Sequence, residues 1–435
     1  MLRKDDLVPK SDRIEPKGMS RTMTDVPAAL TIAPPRLADA RLHARIDALG
    51  AAIVRGATTA PDLEQVVEAF AVALVDAGLS PRRVNVSVVT VHPSLDGIGY
   101  TWRTSNRLVV REDRPWGFLV SAEHLESPLH QVMTTCRPLR LRLDRGEGDA
   151  FAVTRRFAGE GGTDYVAFPL PSGRGPTHVV TLWTDRPGGW PDDIVSLLAP
   201  LSDPLGLVVE LFEARRLTRT VVETYLGPRT GPLVLAGQIH RGESERIRAA
   251  VWFSDLRSYT DLTHHYGDEA IVRALDGWFD LAVDAVQSRG GEVLKFMGDA
   301  LLAIFPVVDE RWGDAVDAAI DAADHLIAAE KLRVEQTGMP LRSGVSLHTG
   351  EVIYGNVGAR GRLDFTVLGS AVNAAARISG LCSTLREPIL VSHRAASSSK
   401  RPLRSIGHHR LRGFPEPVEI FAPGTLGAAL GPAGS

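Results

Sequence analysis

Asp255 and Asp299 constrain this chain more than any other pair of residues. Asp255 ends the run Val251-Trp252-Phe253-Ser254, and Asp299 follows Lys295-Phe296-Met297-Gly298 and precedes Ala300-Leu301-Leu302-Ala303-Ile304-Phe305. Each carboxylate stands where an apolar strand meets a tight turn. A carboxylate at the margin of a core costs free energy unless it finds a partner. Two of them brought together repel, unless a cation lies between. One or two carboxylates plus phosphate oxygens are how proteins hold hard divalent ions for phosphate chemistry. The structural alternative is that Asp255 caps the following helix and Asp299 fills a hairpin turn.

The 435 residues allow two or three domains. With 44% hydrophobic and 23% charged residues the chain can build ordinary cores. A net charge of -3 gives no strong attraction to nucleic acid or to an anionic membrane. The two cysteines, Cys136 and Cys382, make no disulfide framework and suit a reducing compartment. No membrane span and no signal peptide is expected, so the expected location is the cytoplasm.

Residues 1–40 are polar and proline-punctuated and are expected to be disordered, as is the tail 426–435. Residues 41–204 read as an α+β regulatory domain. Two helices flank Ala60-Pro61. Strands are expected at 84–91, 99–103, 107–111, 138–143, 164–170 and 178–184, with a helix at 124–135. Residues 205–226 read as one helix bounded by Pro204 and Gly227-Pro228. Leu207, Leu211, Ala214, Leu217 and Val221 follow a near-heptad spacing, which suits either a coiled-coil seam or an amphipathic core helix. Residues 227–247 are a turn-rich connector. From Arg248 the order is β-α-β-β-α-β, with strand pairs at 292–297/300–305 and 341–348/351–355. That is a ferredoxin-like arrangement.

The motifs around the two aspartates resemble the catalytic domain of class III adenylyl and guanylyl cyclases, over about residues 245–425, with the domain itself expected at 248–425. The segment Asp164-Tyr165-Val166-Ala167-Phe168-Pro169-Leu170, with Gly188-Gly189-Trp190-Pro191-Asp192-Asp193, is similar to the end of GAF domains. The resemblance therefore implies an α+β protein: a GAF-like regulatory domain, a signalling helix and a cyclase domain. It implies Asp255, Asp299 and the Leu256 carbonyl as ligands of two Mg²⁺ or Mn²⁺ ions per site, with Asp255 also catalytic.

By the same resemblance Lys295 and Thr366 recognise the base. Lysine donates to adenine N1 and threonine accepts from the N6 amino group, whereas guanylyl cyclases place glutamate and cysteine there. ATP is thus the implied substrate and cyclic AMP the product. Threonine both donates and accepts, which weakens discrimination against GTP. Asn373 and Arg377 are implied to orient the ribose and to stabilise charge on the α-phosphate. Ser258, Tyr259 and Thr260 open a helix whose amides suit phosphate, and Arg412 stands where the family has a phosphate-contacting lysine. In this family each site straddles a homodimer, and this chain carries both halves. A small-molecule or protein effector at the N-terminal domain completes the implied partners. A guanylyl cyclase, a diguanylate cyclase suggested by Gly290-Gly291-Glu292, and a catalytically dead cyclase fold are the competing readings.

Overall fold

The structure is a computed structural model that describes residues 40–170, 172–173, 177–240, 242–359 and 361–424. The terminal segments expected to be disordered lie outside these residues, apart from Ala40. The chain divides between Leu217 and Thr218 into two compact units.

The first unit runs α1 (Ala40–Thr59), α2 (Leu63–Asp76), β1 (Arg83–Val89), β2 (Leu95–Arg103), β3 (Val109–Pro115), α3 (Ala122–Leu125) and α4 (Pro128–Thr135). It continues with β4 (Leu139–Leu141), α5 (Ala152–Gly159), β5 (Asp164–Leu170), β6 (His178–Thr184), α6 (Asp192–Leu198) and the start of α7 (Ser202–Leu226), a helix that runs across the division. Its strands form one antiparallel sheet in the order β3-β2-β1-β6-β5-β4. Strand alternation divides the sheet into two faces. Val84, Val86 and Val88 pack into a core with Ile53, Val67, Phe70 and Leu74. The helix expected at 124–135 is instead two, α3 and α4. Ser121 and Ser127 each cap one through the side-chain oxygen, and Pro128 opens the second. Helix α5 was not anticipated.

The Gly-Gly-Trp-Pro-Asp motif has a structural explanation. Asp164 is fully buried and accepts from Arg140 and from the Trp190 amide, at 2.8 and 2.9 Å. Gly189 adopts a left-handed φ of 66°, and a Cβ there would meet the Asp164 carboxylate at 2.6 Å. Helix α7 starts earlier than expected, because Pro204 fits its first turn, where no intrahelical amide is needed. Leu205, Val208 and Val209 bury in the core, while Leu207 and Val221 are exposed. The stripe Leu207, Leu211, Ala214, Leu217 and Val221 is therefore not the buried face, and an amphipathic core helix built on it is ruled out within this unit. By length and composition the helical stretch Asp192–Leu226 could cross a bilayer, yet half of its most apolar window is buried.

The second unit runs α8 (Thr230–Leu235), β7 (Ser244–Leu256), α9 (Tyr259–Tyr266), α10 (Asp268–Gln287), β8 (Glu292–Met297), β9 (Ala300–Pro306), α11 (Trp312–Thr337) and β10 (Ser343–Ala359). Then come β11 (Arg362–Leu368), α12 (Ser370–Ser379), α13 (Leu381–Leu385), β12 (Ile389–Ser392), α14 (His393–Ala396), β13 (Leu403–His409) and β14 (Val418–Pro423). The sheet order is β13-β14-β12-β10-β7-β9-β8, with β11 paired to the far half of β10. Trp252, Trp278, Phe305, Ile320, Leu326 and Val345 anchor the core between this sheet and helices α10 and α11.

The strand pair expected at 341–348 and 351–355 is one strand. β10 pairs with β7 without a break from Ser343 to Gly355. Gly350 is not a turn residue: a Cβ there would lie 2.7 Å from the Ala371 Cβ, so glycine lets α12 approach the strand.

One buried carboxylate holds this core together. Glu330 of α11 is 3% exposed and accepts from Trp278 Nε1 at 2.7 Å, the Ser343 hydroxyl at 2.6 Å and the Ser343 amide at 3.1 Å. Glu330→Ala strands three donors away from water. The expected cost is about 2–4 kcal/mol, read as a lower urea midpoint of the second unit's unfolding.

Candidate active site

Asp255 lies at the end of β7, opposite Ala300 of β9 and Gly344 of β10. Asp299 occupies the two-residue turn between β8 and β9, after Gly298 with its left-handed φ of 67°. The Leu256 amide donates to the Asp299 carbonyl at 3.2 Å, so the turn is tied to the end of β7. The two aspartates therefore stand on neighbouring strand ends. Asp255 does not cap a helix. Ser258 precedes α9, and Asp255 Oδ1 instead accepts from the Ser379 hydroxyl at 3.0 Å. Burial pushes the Asp255 carboxyl above the usual carboxylate range. Ser379 and Arg257 oppose that rise, and the nearby charge of Asp299 adds to it.

Among the described residues no cluster of three or more His, Cys, Asp or Glu side chains stands together. The chain's own side-chain donors here are two carboxylates, both hard oxygen ligands. Such a set suits Mg²⁺ or Mn²⁺ only if phosphate oxygens and water complete the shell. The Leu256 carbonyl, at the same strand end, is a third hard oxygen. The residues fit the implied ions.

Lys295 sits on β8, the edge strand, where a β-bulge between Val293 and Lys295 re-aims the side chain. Its ammonium pairs with Asp364 of β11. Thr366 is two residues further along β11, so period-two alternation puts it on the same face as Asp364. Among the described residues no hydrogen bond engages the Thr366 hydroxyl. The two base-reading candidates are thus brought together within one chain.

Asn373 and Arg377 are exposed on α12, four residues apart and on one face. Arg377 lies 5.9 Å from the Phe414 ring centre, and a Cβ on Gly413 would touch its guanidinium at 2.6 Å. The turn carrying Arg412 is therefore beside Arg377. Among the described residues neither Asn373, Arg377 nor Arg412 has a carboxylate partner. Ser258 has a left-handed φ of 55°, and α9 opens at Tyr259 with its first amides free of intrahelical acceptors. Thr260 is exposed at the same helix start.

Sequence reasoning missed three contributors. Asp364 was detectable, since it shares a strand face with Thr366. Ser379 and Arg257 were not: a serine on the buried side of a helix carries no local signal.

One geometric fact separates the candidates into two sets. At 3.6 residues per turn, Ser379 lies roughly 200° around α12 from Arg377. Ser379 is buried against Asp255, whereas Asn373 and Arg377 point to the opposite side. The structure does not bring the aspartates and the Asn–Arg face together within one chain.

Known proteins are similar in sequence to the second unit. The profile of the adenylate and guanylate cyclase catalytic domain matches residues 243–417. An uncharacterised protein of Mycobacterium tuberculosis is 37% identical over 184 residues, covering 41% of this chain and 33% of that one. An adenylate cyclase of Anabaena cylindrica is 31% identical over 192 residues, covering 42% of this chain and 38% of that one. The chain spans about a third of the length of the curated relatives it matches. Among solved structures, the adenylyl cyclase CyaB from P. aeruginosa is 27% identical over 43% of this chain and all of that one, with a TM-score of 0.39. Residues 243–417 form a class III adenylyl/guanylyl cyclase catalytic domain.

Proposed function

We propose that this chain is an adenylyl cyclase that makes cyclic AMP and pyrophosphate from ATP, at sites built by two copies of the chain. The observation that carries the choice of ATP is the pairing of Lys295 with the β11 face that holds Thr366. An ammonium donates to adenine N1, and a hydroxyl accepts from the N6 amino group. Guanine presents the opposite pattern at both positions.

The ribose 3′-oxygen forms a bond to the α-phosphorus. The bond from that phosphorus to the bridging oxygen of pyrophosphate breaks, and the 3′-hydroxyl proton leaves. Asp255, a water or a substrate oxygen takes that proton. Mg²⁺ or Mn²⁺ held by Asp255, Asp299 and the Leu256 carbonyl would neutralise charge on the attacking and leaving oxygens. Asn373 orients the ribose. Arg377 meets charge developing on the α-phosphate, which a planar guanidinium does well. The amides at Ser258, Tyr259 and Thr260, with Arg412, hold the remaining phosphates.

The two-copy reading follows from the opposed faces of α12. One chain supplies Asp255 and Asp299, and its partner supplies Lys295, Thr366, Asn373, Arg377 and Arg412. The first unit then acts as a GAF-like regulatory module, joined to the catalytic domain through α7, in a cytoplasmic signalling protein.

The test incubates the purified chain with ATP or GTP and Mn²⁺ and follows cyclic nucleotide and pyrophosphate. Cyclic AMP from ATP is expected, with GTP the poorer substrate. Lys295→Glu combined with Thr366→Cys should lower turnover of ATP by about 10²-fold or more, since two base contacts become mismatched. The ratio of GTP to ATP turnover should rise. Equal loss for both nucleotides would place these residues outside base recognition.

A further inference from the structure

The first unit holds a cavity of about 610 Å³ on the sheet face opposite its valine core. Its floor is the polar half of the β1 alternation, Arg83, Asn85 and Ser87. Its roof includes Phe118, Leu129, Met133 and Val153. Over β4, β5 and β6 the same face is filled by an apolar cluster that includes Leu141, Tyr165, Val179 and Trp183; over β1 and β2 it is polar and open.

Two guanidiniums meet on that floor. Arg83 and Arg103 are direct cross-strand neighbours on β1 and β2, and both line the cavity. Like charges in that register destabilise a sheet. Neither has a carboxylate within ion-pair distance among the described residues. Arg83 donates to the hydroxyls of Thr101 and Thr181, at 3.1 and 3.4 Å, and lies 5.5 Å from the Phe157 ring centre, while its Nε is buried without a hydrogen-bond partner. Burial lowers its pKa to about 10, and the facing Arg103 adds to the fall.

Tyr165 and Glu112 favour the charged form of Arg83 in part, but burial, Arg103 and Arg156 outweigh them. Glu112 is already bonded to Arg114 at 2.7 Å. Glu123 and Glu126 line the cavity but are exposed on and just after α3, and Arg156 is exposed beside Glu160 at 3.8 Å. On the roof side His124 is 4% exposed, and its Nδ1 is also buried without a partner.

We propose that this cavity binds a small organic anion, its charged end seated between Arg83 and Arg103 and its apolar body against Phe118, Leu129, Met133 and Val153. An anion there supplies the missing counter-charge for two guanidiniums and an acceptor for the orphaned Nε. A bidentate carboxylate or phosphate matches the guanidinium fork. The apolar roof adds affinity that a bare inorganic ion cannot use.

The test titrates the full chain calorimetrically with phenyl phosphate and benzoate, which separate the two head groups. Inorganic phosphate and neutral benzamide serve as controls. At least one aryl anion is expected to bind at one site per chain, at least tenfold more tightly than inorganic phosphate or benzamide. Arg83→Gln should weaken that binding at least tenfold, and Arg103→Gln should do so independently. Without ligand, Arg103→Gln should melt no lower than the native chain, because it removes a like-charge contact. Failure of both aryl anions to bind, equal binding of benzamide, or unchanged affinity in both variants would overturn the proposal. So would a lowered melting temperature in both variants, which would make the guanidiniums structural.

Discussion

Asp255→Asn is expected to remove at least ~10³-fold of cyclase turnover, about 4 kcal/mol of transition-state stabilisation, while leaving the catalytic unit folded. The geometry separates the two effects. The asparagine oxygen can still accept from the Ser379 hydroxyl, so the contact that fixes the side chain survives. What disappears is the negative charge. Burial is the main reason that the Asp255 carboxyl is raised above its ordinary range. A raised folded-state pKa means that the folded chain binds this proton more tightly than the unfolded chain. The resulting stability is present below the unfolded carboxylate pKa and is lost as pH rises through the folded one. At neutral pH the ionised Asp255 is therefore a net cost to the metal-free protein.

Asp255→Asn should accordingly melt at the same temperature as the native chain or higher at pH 7.5 in chelator. The difference should vanish as pH falls below the carboxylate range. Asp299→Asn should lose turnover to the same degree, since Gly298, not the aspartate, supplies the strained turn geometry. Activity within tenfold of native in either variant would sink the assignment of both aspartates. A large fall in melting temperature for Asp255→Asn would make that residue structural.

The elements that carry the candidate site were largely legible because they are written in short local motifs. Lys-Phe-Met-Gly-Asp and Asp-Phe-Thr-Val-Leu-Gly each place polar residues inside apolar strands, where packing alone would not put them. The hairpin around Gly298 and the helix carrying Asn373 and Arg377 followed from turn chemistry and period. Two kinds of feature were not legible. One is the role of a glycine that serves a distant element: Gly350 reads locally as a turn, yet its partner is Ala371 on α12. The other is long-range polar pairing, such as Ser379 with Asp255, which depends on how a helix is rotated against a sheet.

The first unit shows the same limit from another side. The alternation of Val84, Val86 and Val88 announces one buried face. Nothing in the sequence says that Arg83, Asn85 and Ser87 floor a cavity instead of meeting water. That depends on where α3, α4 and α5 fold back, and a helix broken at Ser127-Pro128 was read as continuous.

Arg377→Ala should be nearly inactive alone, by about 10²–10³-fold, yet should regain activity when mixed with Asp255→Ala. Arg377 is exposed beside the Phe414 ring and the Gly413 turn and has no carboxylate partner among the described residues, so truncation should cost well under about 1 kcal/mol of stability. Loss of turnover is then chemical. The mixing result follows from the two faces of α12. If a site takes its aspartates from one copy and its arginine from the other, each homodimer of a single variant has two broken sites. A mixed dimer has one site with both defects and one with neither. With free exchange at equal amounts, about half the dimers are mixed, and about a quarter of native activity should return. The measurement uses two differently tagged variants, co-purified through both tags so that mixed dimers are isolated directly. Those should carry about half of native activity per dimer. Mixed dimers with no recovered activity would show that the aspartates and Arg377 act within one chain, or that Arg377 is not at the site.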